Sequence, residues 1–328
     1  MTAVAGAACI SSSAVVMQLA GSSPSMTALL RCVFALPVLG LLAWLERRRG
    51  AAAMTARSRW LARIAGVFLG ADLVVWSHSI ADIGAGLGTV VTNLQVVLVA
   101  LLAWAVLRER PRNSLLVALP VMLGGLVLVG GLAGTAGYGA HPALGAAFGV
   151  GAAVLYAVYI FMLRQATAAG TTAAGANAEG GATVARHAPV VAPLLEATIG
   201  AAFGAGVLGL VLRDFRLGPA WPALGWLVLL ALTSQVLGWL LITMSMSRLP
   251  AWLIGVLLLV QPAGSLILSA VFLSERPSAT QLVGVAVILV GVLIAARKQS
   301  PAAGPGIDTQ GGQAAARSVT GRRLRSGR

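Results

Sequence analysis

Few residues of this 328-residue chain can do chemistry, and they stand far apart: nine are Asp or Glu and three are His. Arg31, Asp72 and Glu196 each lie within or beside a long apolar stretch. So do the amides Asn93, Gln95, Gln235 and Gln261 and the indoles Trp76 and Trp239. In such surroundings Arg31 either binds an anionic group, pairs with an internal acid, or extends along its stem to a polar boundary. Asp72 can bind a cation, exchange a proton, or pair with Arg31. Trp76 follows Asp72 by one helical turn on the same face and offers its ring to a planar ligand or to packing. His78 points about 240° away from Asp72 at 100° per residue and reads as a boundary histidine. Glu196 either faces the interior or stays near the end of its helix. Gln235 and Trp239 are four apart and share a face, whereas Asn93 and Gln95, two apart, do not.

These residues form no catalytic set. No two acids lie within five residues of each other, so paired acid–base or metal–diphosphate chemistry has no local basis. The two cysteines, Cys9 and Cys32, both lie in apolar segments and read as small packing residues. No metal site or cofactor is expected. A phosphate-binding loop needs Gly-x-x-x-x-Gly-Lys, and the only lysine is Lys298, in Arg297-Lys298-Gln299.

The elements that must carry these residues follow from composition. Charged residues make up 10% of the chain and hydrophobic ones 58%, against about 25% charged in a soluble domain. Residues 1–30, 83–107 and 217–247 carry no charge at all. A bilayer crossing needs roughly 20 apolar residues in a helix, and these runs are continuous, not alternating, which excludes a barrel. Ten transmembrane helices are expected near 2–20, 26–45, 61–80, 84–107, 113–132, 143–164, 189–213, 221–246, 250–273 and 278–297. The first lacks a basic leader and reads as a retained helix. Pairs such as Gly66/Gly70, Gly145/Gly149 and Gly200/Gly204 have the spacing of close helix packing. Residues 166–188 and 299–328, rich in Ala, Gly, Ser and Thr, read as a flexible cytoplasmic loop and a disordered basic cytoplasmic tail.

The net charge of +14 belongs to the membrane, not to nucleic acid. With the N-terminus in the cytoplasm, nineteen basic residues fall inside, among them Arg47, Arg48, Arg49, Arg57, Arg59 and Arg63. Only Arg213, Arg216 and Arg276 fall outside. This asymmetry predicts that both termini are cytoplasmic in a multi-pass cell-membrane protein.

The chain repeats itself. Glu109-Arg110-Pro111 recurs as Glu275-Arg276-Pro277, and the same offset of 166 aligns Gln95 with Gln261 and Gly125 with Gly291. Five helices per half is an odd number, so the second half must insert upside down. The expected architecture is all-α: residues 1–137 and 138–298 as two inverted five-helix repeats. Inverted repeats are a recurrent transporter design, with the substrate near the midplane between halves. The Glu-Arg-Pro motifs read as structural helix ends.

On Ser23-Pro24 with Arg31, on Gly124-Gly125, and on the two Glu-Arg-Pro segments, the chain resembles the EamA family of the drug/metabolite transporter (DMT) superfamily. The resemblance covers nearly all ten helices. It implies an inverted repeat, a central cavity and both termini inside. Where that family often has Glu-Pro, this chain has Gln261-Pro262, so no coupling role carries over there. The expectation is a secondary exporter of a small metabolite or drug, not an enzyme, working by alternating access and coupled to protons through Asp72 or Glu196. Substrate-binding or coupling candidates are Arg31, Asp72, Trp76, Gln95, Glu196, Gln235, Trp239 and Gln261. A polytopic membrane enzyme or a channel is the competing reading.

Overall fold

The computed structural model describes residues 2–108, 113–131, 138–178, 189–215, 221–241 and 251–296. All regular structure among them is helical. The helices are α1 (Thr2–Ser11), α2 (Ser13–Ala20), α3 (Pro24–Arg48), α4 (Ala56–Ile83), α5 (Ala85–Thr92), α6 (Gln95–Leu107) and α7 (Asn113–Val129). There follow α8 (Pro142–Ala178), α9 (Val191–Leu212), α10 (Ala223–Leu230), a π-helix (Ala231–Gly238), α11 (Ala251–Phe272) and α12 (Ala279–Ala296). Taking α1 with α2, α5 with α6, and α10 with the π-helix leaves ten apolar units, one for each expected segment. Six of these are long and apolar enough to cross a membrane. The others form shorter apolar helices, such as Asn113–Val129 and Val260–Phe272.

Two expectations need correction. Helix α8 does not end near 164 but runs to Ala178, because the Ala-rich stretch after Arg164 favours helix more than its glycines oppose it. The segment 221–246 is not uniformly α-helical, since a π-helix occupies Ala231–Gly238. Glu109-Arg110-Pro111, residues 179–188 and the tail lie outside the described residues.

The packing repeats under exchange of the halves. Helix α4 packs on α8 and α9, while its counterpart, α10 with the π-helix, packs on α1, α2 and α3. Helices α5 and α6 pack on α8, and α11 packs on α1 and α2. Three counterpart pairs pack directly on each other: α3 on α9, α5 on α11 and α7 on α12.

These counterpart pairs run antiparallel. Glu46, near the end of α3, accepts backbone N–H bonds at the start of α9, from Val190 (2.7 Å) and Val191 (3.1 Å) to Oε1 and from Ala192 (3.3 Å) to Oε2. Asp214, just past the end of α9, accepts from the Ser25 N–H at the start of α3 (3.0 Å). Glu275, beyond α11, accepts from Ala85 (2.7 Å) and Gly86 (3.2 Å), the first residues of α5. A helix start leaves N–H groups without intrahelical partners, and a carboxylate there also meets the positive end of the helix dipole. Gly84, at φ +89° and against the Glu275 carboxylate, has the conformation and the bare Cα that this approach needs.

Helices α4 and α9 run parallel and touch backbone to backbone. A Cβ on Gly66 or Gly70 would strike the Ala197 or Ala201 carbonyl, and one on Gly200 or Gly204 the Arg63 or Val67 carbonyl. Small residues allow this closeness, which dispersion rewards between helices in lipid. Gly66→Ala should lower the unfolding free energy in detergent by about 1–3 kcal/mol through overpacking. Gly40→Ala, with open space around it, should leave stability unchanged. Equal thermal unfolding of the two variants would refute the backbone-contact account.

Candidate functional site

Arg31 lies two turns into α3, and Pro24 at the helix start presets the backbone for that turn. The side chain does not reach a polar boundary. It is 3% exposed, and its Nη2 donates to Gln235 Oε1 (3.1 Å) and to Ser234 Oγ (3.3 Å). Both acceptors belong to the π-helix. The wider turn of a π-helix is frequent at functional sites, and here it delivers two adjacent polar side chains to one guanidinium. The Gln235 amide orientation follows from the bond, since only its oxygen can accept from an arginine.

Asp72 and Trp76, one turn apart on α4, are both buried. Asp72 stands in the electrostatic field of Arg31 and is felt by Tyr156 and Tyr159 on α8. It does not ion-pair with Arg31. The carboxylates with a cationic side chain or imidazole nitrogen within 4 Å among the described residues are Glu196, beside Arg63, and Asp214, beside His78. Tyr156, Tyr159 and Trp239 form an aromatic trio with ring centroids 5.5–6.4 Å apart. Met17 of α2 and Cys32 of α3 belong to the same buried cluster as Trp76 and Tyr159.

The centre of this cluster holds donors without acceptors. Arg31 Nε, Gln235 Nε2, Trp76 Nε1 and the Tyr159 hydroxyl are all buried and have no hydrogen-bond partner among the described residues. A buried polar group without a partner is costly, so four of them in one region mark a place for water or a polar ligand. Two aromatic faces and one carboxylate complete the set. Helices α3 and α4 from the first half, and α8, the π-helix and Trp239 just after it from the second, supply these groups.

Five of the eight candidate residues therefore converge: Arg31, Asp72, Trp76, Gln235 and Trp239. Glu196 is elsewhere, with Oε2 2.6 Å from Arg63 Nε across the α4–α9 contact. Gln95 and Gln261 are half-buried and join no hydrogen bond to the cluster among the described residues. Gln95 opens α6 just after a break at Asn93, whose amide turns back to the Thr89 carbonyl (2.8 Å). His78 packs against Phe148 and lies 3.4 Å from Asp214 without hydrogen-bond geometry. Three contributors were not among the candidates: Tyr156, Tyr159 and Ser234. The tyrosines carried a usable signal, because two of the three in the chain stand three apart, on one face of an otherwise apolar helix.

A family model matches residues 1–131 and again 143–297, under the description EamA-like transporter family. The chain belongs to that family. The two matches are its two repeats, and they place this multi-pass membrane protein in the DMT superfamily, whose EamA members are transporters. A solved structure titled "Crystal structure of protein" aligns over 91% of this EamA chain and 98% of its own length, with TM-score 0.54 and 18% identity. At that identity the likeness concerns the fold alone. No curated protein matches.

If Arg31 and Gln235 act as a unit, Arg31→Gln and Gln235→Leu should be non-additive, with a coupling of about 1–2 kcal/mol for a buried charged hydrogen bond in a membrane protein. A double-mutant cycle on unfolding in detergent measures it. Additive losses would show that the contact contributes nothing of its own.

Proposed function

We propose that this EamA-family chain is a secondary transporter that moves a small polar or amphipathic metabolite or drug by alternating access. The observation that carries the reading is the buried group of unpaired donors, with Asp72 beside it, enclosed by helices of both halves. Such a group is costly in a static membrane protein and useful in one that must hold a polar solute at mid-depth. The antiparallel counterpart helices support an inverted repeat of ten spans. In that geometry, exchange of the halves' conformations converts access from one side to access from the other.

In this reading Arg31, held by Ser234 and Gln235, offers its free Nε to a polar or anionic group of the solute. Trp76 and Tyr159 add donors, and Tyr156 and Trp239 receive its planar or apolar part. Asp72 is the coupling group, because it is a buried acid without a direct ion pair among the described residues. Glu196, engaged with Arg63, braces α4 against α9 and takes no part in coupling. Gln95 and Gln261 stand at matched places on α6 and α11, where amides bridge helices. Both termini are cytoplasmic, the membrane is the cell membrane, and net movement is export, the last on family grounds.

A thermal-stabilisation screen of the purified protein identifies the solute, since a ligand of the folded state raises stability by mass action. Reconstituted in sealed liposomes, the protein should carry that solute across the bilayer and respond to an imposed pH gradient. Asp72→Asn should abolish the pH-gradient response while Glu196→Gln retains it. Proton-driven flux unchanged in Asp72→Asn would remove Asp72 from coupling. Chemical conversion of the solute without movement would refute transport.

A further inference from the structure

The corner where α3 ends and α4 begins carries more positive charge than the protein itself neutralises. Arg47, Arg48, Arg49, Arg57 and Arg59 are all exposed there, joined through the short connection before Ala56. None of the five has a carboxylate partner among the described residues. The two nearby acids are engaged elsewhere. Both Glu46 oxygens accept N–H groups at the start of α9, and Glu196 Oε2 takes Arg63.

This scaffold is ordered. The Gly50 N–H bonds to the Arg47 carbonyl (3.1 Å) and the Ala51 N–H to the Glu46 carbonyl (3.2 Å), closing the end of α3. Thr55 Oγ1 accepts the Ser58 N–H (3.1 Å), capping α4. Arginines at the end of α3 suit the helix dipole. Arg57 and Arg59, in the first turn of α4, oppose it, so five guanidiniums converge where part of their own scaffold already repels cations. Such a cluster calls for an external anion.

The apolar flank indicates which one. Trp44 (47% exposed) and Trp60 (62%) project outward at the same corner, next to exposed Leu41 and Ile64. The Arg48 guanidinium lies 3.8 Å from the Trp44 ring centroid, so its plane is fixed against an indole. Tryptophans prefer the headgroup level of a bilayer, and a guanidinium fork matches a phosphate bidentately. A soluble anion would have no use for the outward indoles and aliphatic side chains, whereas a lipid offers phosphate and acyl chain together.

We propose that the α3–α4 corner is a binding site for an anionic phospholipid. The phosphodiester is held by Arg47–Arg49 and by Arg57 and Arg59, and the upper acyl chain lies against Trp44 and Trp60. The site does not depend on the chain being a transporter. Through Glu46 and Arg63 it adjoins the start of α9, so lipid occupancy stabilises the joint between the halves on that side.

The full chain is reconstituted in nanodiscs of phosphatidylcholine alone, or with phosphatidylglycerol as a third of the lipid, and its thermal unfolding is followed. The expected result is a higher Tm with phosphatidylglycerol, an increment that shrinks with added salt. Replacing all five arginines by Gln should remove at least half of the increment, and Arg213→Gln, at the opposite end of α9, should leave it intact. If the fivefold variant does not fold, Arg57→Gln/Arg59→Gln serves, together with native mass spectrometry counting retained phosphatidylglycerol, where at least one molecule should be lost. An increment fully retained in the arginine variants, one lost equally in Arg213→Gln, or one reproduced by inorganic phosphate in phosphatidylcholine discs would each overturn the lipid site.

Discussion

The first N–H groups of a helix have no partner within the helix, and in this protein the other half supplies one. Glu46 closes the start of α9, Asp214 the start of α3, and Glu275 the start of α5. Each carboxylate comes from the helix end that lies antiparallel to the helix it caps. The satisfaction of one half's backbone therefore depends on the other half being docked. These contacts also consume acids in a chain with nine. With Glu196 taken by Arg63, Asp72 is left as the deeply buried acid that meets no direct partner among the described residues.

The same exchange of halves relates two interfaces that are built differently. Helices α4 and α9 meet through Gly66, Gly70, Gly200 and Gly204, backbone on backbone. Their counterparts, α10 with the π-helix against α3, meet through Arg31, Ser234 and Gln235. The first interface leaves no room for a Cβ at any of these four glycines. The second depends on three polar side chains and holds donors in reserve. One architecture thus contains a close-packed seam and a polar seam in equivalent places.

Much of this was legible in the sequence. Hydropathy located every apolar unit, because a helix in lipid must present an apolar surface all round. The glycine pairs foretold close helix packing, since their spacing alone puts two bare Cα atoms on one face, but not that α4 and α9 meet each other. Glu275-Arg276-Pro277 was legible as a helix end, although its reach to Ala85 was not. The caps made by Glu46 and Asp214 were invisible for a related reason. They are equivalent in space but differ in residue type, and they are offset by 168 where the repeat is offset by 166. A carboxylate's partner is set by where a helix ends, which hydropathy blurs by several residues. The π-helix left no mark in composition, so the pairing of Ser234 with Gln235 on Arg31 could not be read from an α-helical wheel.

The site itself fell where the halves differ, and there is a physical reason. The starts of α3 and α9 are offset by 167, from Pro24 to Val191, and so are those of α4 and α10, from Ala56 to Ala223. At that offset Thr198 stands opposite Arg31, Phe68 opposite Gln235, and Asp72 and Trp239 opposite each other. Thr198 is buried with its hydroxyl turned back to the Leu194 carbonyl, and Phe68 packs on the core. A scaffold residue is useful twice, because both halves need the same turns and caps. A buried charge is different. Each copy costs desolvation, while a second copy facing the same space would repel the first. Duplication therefore preserves the frame, and the buried charges of the cluster persist in single copy.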